Sequence, residues 1–335
     1  MSTMNNRTPR VTVCIPTIDR PHFLREAIAS VVAQTFDDFE IVIADNSGDV
    51  KLQNKIDAVL AEFPGLGFTL VRHPRQIHAA DNFNSLIDAA RGEMWTCLPD
   101  DDRFCPAFLE RSVGALDQHA DCAFTFSDHS VIDGHGVVSE PQSLAVSAQF
   151  GRSLLREGIY RHHQLFEIVM RQSLCLQAAL FRRPVISLLK FVPGILALDQ
   201  SLFLRLSTGQ NSFDGYYLDQ RLMEYRLHSE QISQTTPSSE FLRSTIDAME
   251  SVTNVPRRHV RQFNSKLSRI YLALALAEAE QGSGTIARTH ALRSLRLSPG
   301  PVSALGALLT IAAPRAISPM RHVVRRIRNS ARASN

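Results

Sequence analysis

Asp100, Asp101 and Asp102 stand side by side at the end of an apolar run, Met94-Trp95-Thr96-Cys97-Leu98, with Pro106 shortly after. Like charges at contact distance raise one another's pKa unless a cation sits among them. Oxygen-only ligands of this kind suit Mg²⁺ or Mn²⁺, and Mg²⁺ commonly takes one or two carboxylates plus substrate phosphates. The chemistry on offer is a metal–diphosphate site. The same residues also fit a solvated acidic turn that caps a helix starting near Pro106.

The elements around the triplet bear on that choice. Val11–Pro16, Phe39–Ala44, Phe68–Arg72 and Met94–Leu98 read as strands. Phe23–Gln34, Lys51–Phe63 and Asp81–Ala90 carry helical spacing between them. This β-α-β alternation predicts a doubly wound, mostly parallel α/β sheet flanked by helices. Ligands in such sheets sit beyond the carboxyl ends of the strands. Thr17–Asp19, Asp45–Ser47 and Asp100–Asp102 fall at three such ends and are expected to converge on one crevice. No glycine-rich phosphate cradle accompanies them. A diphosphate bound there would be held by a metal and not by backbone amides.

Beyond Pro106, the spacing predicts a helix over Phe108–His119 and a strand over Ala123–Phe126, followed by Ser127-Asp128-His129. Leu174–Phe181 reads as a buried strand, Gly209–Asp219 as turn-rich, and Leu222–Leu227 as a strand ending at His228. Asp199 precedes a short helix and could serve as its N-cap. The pair His162-His163 has no further ligands nearby in sequence and reads as surface or acceptor-loop residues more readily than as a metal site. From Glu240 onward the pattern is helical, including Leu267–Gln281 and Thr285–Leu297.

The chain has 335 residues, 44% hydrophobic and 21% charged, which describes a globular protein. A net charge of +3 conceals a split: nine arginines and no acidic residue follow Glu280, leaving 27 basic against 33 acidic residues before it. The basic stretch Arg321–Arg332, interleaved with Val323, Val324 and Ile327, fits either an anionic membrane surface or a solvated helical face. Five scattered cysteines lack C-x-x-C spacing and read as reduced thiols. Residues 1–9 are polar and expected to be disordered, with no apolar core of a signal peptide. Leu305–Ala313 is apolar but shorter than the roughly 18–20 residues of a membrane span. A cytoplasmic protein is expected, with peripheral contact at the inner membrane face through the basic end and no nucleic-acid partner.

Taken together, several of these stretches resemble the family 2 glycosyltransferases of GT-A fold. Val11–Thr17 with Phe23–Val31 and Gln34-Thr35-Phe36 resembles their opening. Phe39–Ser47 resembles their second-strand motif, and Asp81–Ile87 with Ala90–Glu93 the helix before the metal strand. Asp100-Asp101-Asp102 with Pro106 resembles the DxD region, and Asp199 with Leu202, Leu204 and Arg205 the catalytic-base helix. Tyr225-Arg226-Leu227-His228, then Gln231 and Ser233, resembles the late Y-R-x-H motif. The match runs in order over residues 10–235. It implies a nucleotide-binding half over 10–105, an acceptor half over 106–238, and a helical, basic C-terminal region over 239–335 outside the match. Two stretches depart from the pattern. Arg75-Gln76-Ile77-His78 stands where the family has Asn-x-Gly, and Leu198-Asp199 where it has Glu-Asp.

The resemblance also implies roles. Pro16, Thr17, Asp19, Arg20, Asp45, Asn46, Asn82, Asp100 and Asp101 would form the donor-binding set, with Asp45 on the nucleotide base and Asp100 or Asp101 on the ribose. Asp101 or Asp102 would ligate a divalent metal (Mn²⁺ or Mg²⁺), with His228 approaching the metal or diphosphate from the far side. Asp199 would be the general base. The implied reaction is inverting, metal-dependent transfer from a nucleotide-diphosphate sugar to a hydroxyl of a glycan or glycolipid acceptor, in cell-surface polysaccharide synthesis. Two rivals share these residues: a sugar nucleotidyltransferase, which would want a basic glycine-rich loop near the first strand, and a non-catalytic carbohydrate-binding or scaffolding protein. An Asp-x-Asp phosphatase would need its nucleophile on the first strand, whereas these acids follow the fourth.

Overall fold

Side chains alternate across a strand, and along the first strands both alternating sets are buried. Val11, Val13 and Ile15 join Ile41, Ile43, Leu24 and Ile28 in one core cluster. Cys14, Val42, Ala44, Trp95 and Leu86 belong to a second. A sheet covered on both faces reads as continuous apolar runs, which is how these strands read. The computed structural model describes residues 8–171, 174–208, 213–229, 231, 238–252, 254–300 and 304. The apolar stretch 305–313, the basic stretch 321–332, Ser233 and residues 1–7 lie outside the described residues.

The elements run β1 (Val11–Thr17), α1 (Pro21–Val32), β2 (Phe39–Asp45), α2 (Val50–Ala61), β3 (Phe68–Arg72), α3 (Ala79–Ala89), β4 (Met94–Cys97), β5 (Arg103–Phe104), α4 (Phe108–Gln118) and β6 (Cys122–Ile132). They continue with α5 (Glu140–Gln149), β7 (Gly158–Tyr160), α6 (His162–Met170), β8 (Ala179–Arg182), α7 (Arg183–Leu189), α8 (Leu198–Thr208) and β9 (Asp214–Arg226). Three more helices follow: α9 (Ser238–Glu250), α10 (Val260–Glu280) and α11 (Gly284–Leu297). The strand order is β3-β2-β1-β4-β8-β6-β9-β5, with β7 also on β9. β3, β2, β1 and β4 are mutually parallel, as the alternation predicts. Beyond β4 the sheet becomes mixed. β8 lies antiparallel between β4 and β6, β6 and β9 are parallel, and β5 and β7 run antiparallel to β9.

Three expectations are corrected. Leu174–Phe181 is a strand only from Ala179; Leu176–Ala178 form a 3₁₀ turn. Periodicity alone cannot separate such segments in an apolar run. Asp128 and His129 lie inside β6 and do not follow it. β9 begins at Asp214, within the stretch read as turn-rich. Gly215 lies in that strand, and the position is glycine because an added Cβ would meet the Phe124 ring at 2.7 Å.

The helices after β9 share the main core. Leu242, Ile246 and Met249 of α9 and Phe263, Leu267 and Ile270 of α10 pack in the same cluster as Trp95 and Phe124. Among the described residues no helix is long and apolar enough to cross a membrane.

The register that delivers the acidic triplet is set at the opposite end of the sheet. Thr12 Oγ1 donates to Glu40 (2.7 Å) and accepts from Gly92 N (2.8 Å), while Glu40 accepts from Arg91 N (2.7 Å). At Gly92 a Cβ would lie 2.6 Å from Thr12 N and 2.7 Å from Val11 C, so the close approach of β4 to β1 demands glycine. Gly92→Ala is expected to lower the stability of the fold by about 1–3 kcal/mol, the range for overpacked sites. Urea denaturation checks this, and an unchanged midpoint would show that the β1–β4 contact is not tight.

Candidate active site

Thr17 and Asp45 are register partners at the ends of β1 and β2. β4 runs beside them and opens onto the triplet, so the three strand ends do converge. All three aspartates are buried, at 0%, 8% and 1% exposure. The N-cap of α4 is Ala107, with no side-chain cap. The solvated, helix-capping reading is therefore overturned: these carboxylates sit inside the protein, and each has its own holder.

Asp100 Oδ2 accepts from Thr17 Oγ1 at 2.6 Å, and its Oδ1 pairs with Arg20 Nη2 at 2.5 Å. Asp101 Oδ2 meets Arg20 Nη1 at 2.7 Å and His228 Nε2 at 3.0 Å. Asp102 Oδ1 accepts from Arg226 N at 2.9 Å, while its Oδ2 is buried without a hydrogen-bond partner. Burial pushes the Asp100 carboxyl up to about 7, against the pull of Arg20, and drives the Asp102 carboxyl well above the usual carboxylate range. Desolvation favours the neutral acid, and neighbouring carboxylates add to it.

Arg226 stabilises the turn from beneath. It is fully buried, donates from Nε to Asp101 O (2.7 Å) and from Nη2 to Glu26 (2.6 Å), and lies over the Phe23 ring at 4.8 Å. In the sequence Arg226 stands within a motif but carries no assigned role. An arginine in an otherwise strand-like run is the available signal, since a buried guanidinium needs partners for its donors.

The rest of the expected donor set is partly assembled. Pro16, Thr17, Arg20, Asn46, Asn82, Asp101 and Asp102 line a cleft of about 1120 Å³, and Asp199 lines it as well. Asp45 is fully buried; its Oδ1 accepts from Ser47 N and Oγ, and its Oδ2 has no hydrogen-bond partner. Asn46 clamps Ile77 by accepting from its N–H (2.9 Å) and donating to its carbonyl (3.0 Å), which fixes the 73–78 loop. Asn82 meets His73 at 3.1 Å. Asp19 points elsewhere: it is exposed, takes a left-handed φ of 46°, and pairs with Lys55 at 3.1 Å. The His162-His163 pair starts α6, away from the triplet, with His162 against Asp214.

Asp199 is not an N-cap, because α8 begins at Leu198. It is half-buried, and its Oδ2 accepts from Leu176 N at 3.1 Å. Burial raises its carboxyl to about 6, partly offset by that bond. Among the described residues no three His, Cys, Asp or Glu side chains form a ready-made metal cage. The fit lies in the donor chemistry: Asp101 and His228 side by side, and a buried Asp102 oxygen that no protein group satisfies.

Residues 12–173 match the profile of glycosyl transferase family 2. That part of the chain is similar to the members of this family. A GalNAc(5)-diNAcBac-PP-undecaprenol β-1,3-glucosyltransferase of Campylobacter jejuni is 30% identical over 101 residues, 30% of this chain and 32% of that protein. A putative colanic acid biosynthesis glycosyl transferase of Escherichia coli K12 is 27% identical over 172 residues, 50% of this chain and 60% of that protein. The chain thus spans between about a third and three-fifths of these curated relatives. The mannosyltransferase PcManGT of Pyrobaculum calidifontis, solved with GDP-Man and Mn²⁺, superposes with a TM-score of 0.59 at 15% identity, covering 98% of this chain and 86% of that one. TarS of S. aureus, residues 1–349 with UDP-GlcNAc, gives 0.56 at 15% identity, covering 97% and 89%. These likenesses establish the GT-A fold, with the expected helical C-terminal part.

Arg226→Lys removes the planar fork that serves Asp101 O and Glu26 together. We expect a loss of about 2–4 kcal/mol in a denaturant titration. Wild-type stability in this variant would mean that the triplet does not depend on Arg226.

Proposed function

We propose that the protein is an inverting, metal-dependent glycosyltransferase that moves a sugar from a nucleotide diphosphate to a hydroxyl of a glycan or lipid-linked acceptor. The observation that carries this reading is one cleft lined by Asp101 and Asp102 and also by Asp199. Residues 10–105 would form the nucleotide half and 106–238 the acceptor half. Asp45 would receive an N–H of the base on Oδ2, which has no hydrogen-bond partner and lies 3.9 Å from Arg72 Nε, with Thr17, Asn46 and Asn82 bordering the nucleoside. Asp100 or Asp101 would hold the ribose. Asp101, Asp102 and His228 would hold the cation together with diphosphate oxygens.

Bound there, a divalent cation supplies positive charge that offsets the charge growing on the departing diphosphate. The acceptor oxygen attacks the sugar's anomeric carbon as the bond from that carbon to the diphosphate breaks. Asp199 takes the acceptor proton, which requires its carboxylate form. Attack from the face opposite the leaving group inverts that carbon. Arg20, which pairs with Asp100 and Asp101, would lie beside the diphosphate. The relatives' names, an undecaprenol-linked acceptor and colanic acid synthesis, support a lipid-linked or polysaccharide acceptor. A cytoplasmic location with membrane contact through the basic end belongs to the same proposal.

Calorimetric titration with UDP, GDP and dTDP, with and without Mn²⁺, tests the donor side. One nucleotide should bind, with affinity lost without Mn²⁺ and lowered by at least about tenfold in Asp101→Ala or Asp102→Ala. Binding indifferent to both metal and variants would remove the cation from the reading. Asp199→Asn should abolish transfer while nucleotide affinity survives. The Asp199 carboxyl is raised to about 6, so it is ionised above that pH and neutral below it. The rate constant kcat should therefore fall as the pH drops through about 6. A flat acid limb, or equal loss of nucleotide binding in the variant, would count against Asp199 as the base.

A further inference from the structure

The cleft has a second polar feature besides the acids already described. Arg152 lines it while being only 3% exposed. Its Nε donates to Asp128 Oδ1 at 2.5 Å, and its Nη2 lies 3.3 Å from His129 Nε2. Asp128 Oδ2 accepts from Ser147 Oγ at 2.6 Å, and Asp128 Oδ1 also accepts from His129 N at 2.8 Å. Arg152 is thus gripped on two of its three nitrogens, and Nη1 has no hydrogen-bond partner among the described residues. Arginine is donor-only, so His129 Nε2 accepts and the ring proton sits on Nδ1. His129 Nδ1 is buried without a partner.

A buried donor without a partner, as at His129, is costly, and beside it Arg152 Nη1 is left for a ligand in the cleft wall. The β6–β9 register shifts at Ser127/Asp128 and again at Asp128/His129. Such irregularities re-aim side chains beside functional sites, and here two consecutive residues of one strand both reach Arg152. Charge decides what kind of ligand fits. Asp128 cancels Arg152, and burial with the neighbouring Arg152 holds His129 neutral, its pKa down to about 3. The cluster therefore offers N–H donors without net charge. Phosphates and carboxylates gain little from it, whereas a hydroxyl or acetamido oxygen gains a fixed partner. The surrounding wall is apolar, with Val146, Phe150, Val169 and Leu174, which suits the C–H face of a sugar ring.

We propose that Arg152, held by Asp128 and His129, forms the subsite for an uncharged acceptor sugar, with Nη1 donating to one of its oxygens. This rests on reading the cleft as that of a glycosyltransferase. The test uses the protein with UDP or GDP, whichever binds, and Mn²⁺. Methyl β-glucoside, methyl β-N-acetylglucosaminide and methyl β-glucuronide are titrated in by ligand-observed NMR. A neutral glycoside should bind in preference to the glucuronide. Arg152→Lys keeps the ion pair with Asp128 but loses Nη1. It should weaken the neutral glycoside by about tenfold while nucleotide affinity stays within about threefold. Asp128→Asn leaves the arginine uncompensated and should shift preference toward the glucuronide. Unchanged glycoside binding in Arg152→Lys, a wild-type preference for the glucuronide, or no glycoside bound by the nucleotide-loaded wild type would each overturn the subsite. Failure of every nucleotide to bind the wild type would overturn the transferase reading, and the subsite with it.

Discussion

Three carboxylates taken out of water at the ends of parallel strands are the constraint from which much of this fold follows. Burying one such charge is expensive, and burying three side by side requires cations and backbone donors from elsewhere. They come from distant parts of the chain. Arg20, at the entry to α1, pairs with Asp100 and Asp101, while Arg226, at the end of β9, brackets Asp101 and Asp102. Glu26 of α1 binds Arg226 and also pairs with Arg103 of β5, whose Nε pairs with Glu224 of β9. Displacing any of α1, β5 or β9 would strand a charge. The mixed half of the sheet is thus tied to the parallel half by electrostatics as well as by packing.

The two sides of the cleft then differ in kind. On the triplet side the protein's own cations leave the acids incompletely compensated. An oxygen of Asp102 stays unpartnered, and the carboxyls of Asp100 and Asp102 are pushed up. Such a site favours added positive charge. On the side of β6, one aspartate, one arginine and one neutral histidine compensate one another and leave only N–H groups unused. Asp199 belongs to neither arrangement. Burial leaves it less acidic than a surface aspartate despite the bond from Leu176 N, which suits the proposed role of holding and releasing a proton.

The parallel half is legible in the sequence because it obeys local rules. Val11–Thr17 and Phe39–Asp45 are apolar runs ended by turn residues, and the acids at their ends mark the crevice directly. The mixed half obeys longer-range ones. Gly215 reads as a turn residue until Phe124 is seen above it, and Leu176 reads as strand until its N–H is seen serving Asp199. Arg226 and Arg152 escape notice as functional for the same reason. An isolated arginine in a sequence reads as surface, and only the fold shows that its partners lie 24 residues away for Asp128 and more than 120 for Asp101 and Asp102. Asp19 shows the converse. It stands in the right stretch, yet a left-handed backbone turns it to Lys55, since one residue's φ decides where a side chain points.

The helices after β9 look like an appendage in the sequence, beyond the reach of the family match, yet they help place the proposed base. Ser244 Oγ of α9 accepts from Leu196 N at 2.6 Å and Ala197 N at 3.1 Å, in the segment that leads into α8 just before Asp199. Ala248 of the same helix packs with Ile195 and Ala197. On the neighbouring helix, Lys266 is buried and donates to Met170 O at 2.9 Å, at the end of α6, whose Val169 lines the cleft. A buried ammonium loses its charge more readily, and Lys266 is lowered to about 7. It works there as a hydrogen-bond donor to a helix end that would otherwise leave its carbonyl unmet. In the proposed reaction, a carboxylate meeting an acceptor hydroxyl needs its backbone fixed to a fraction of an ångström. For Asp199, part of that fixing comes from residues 240 to 270.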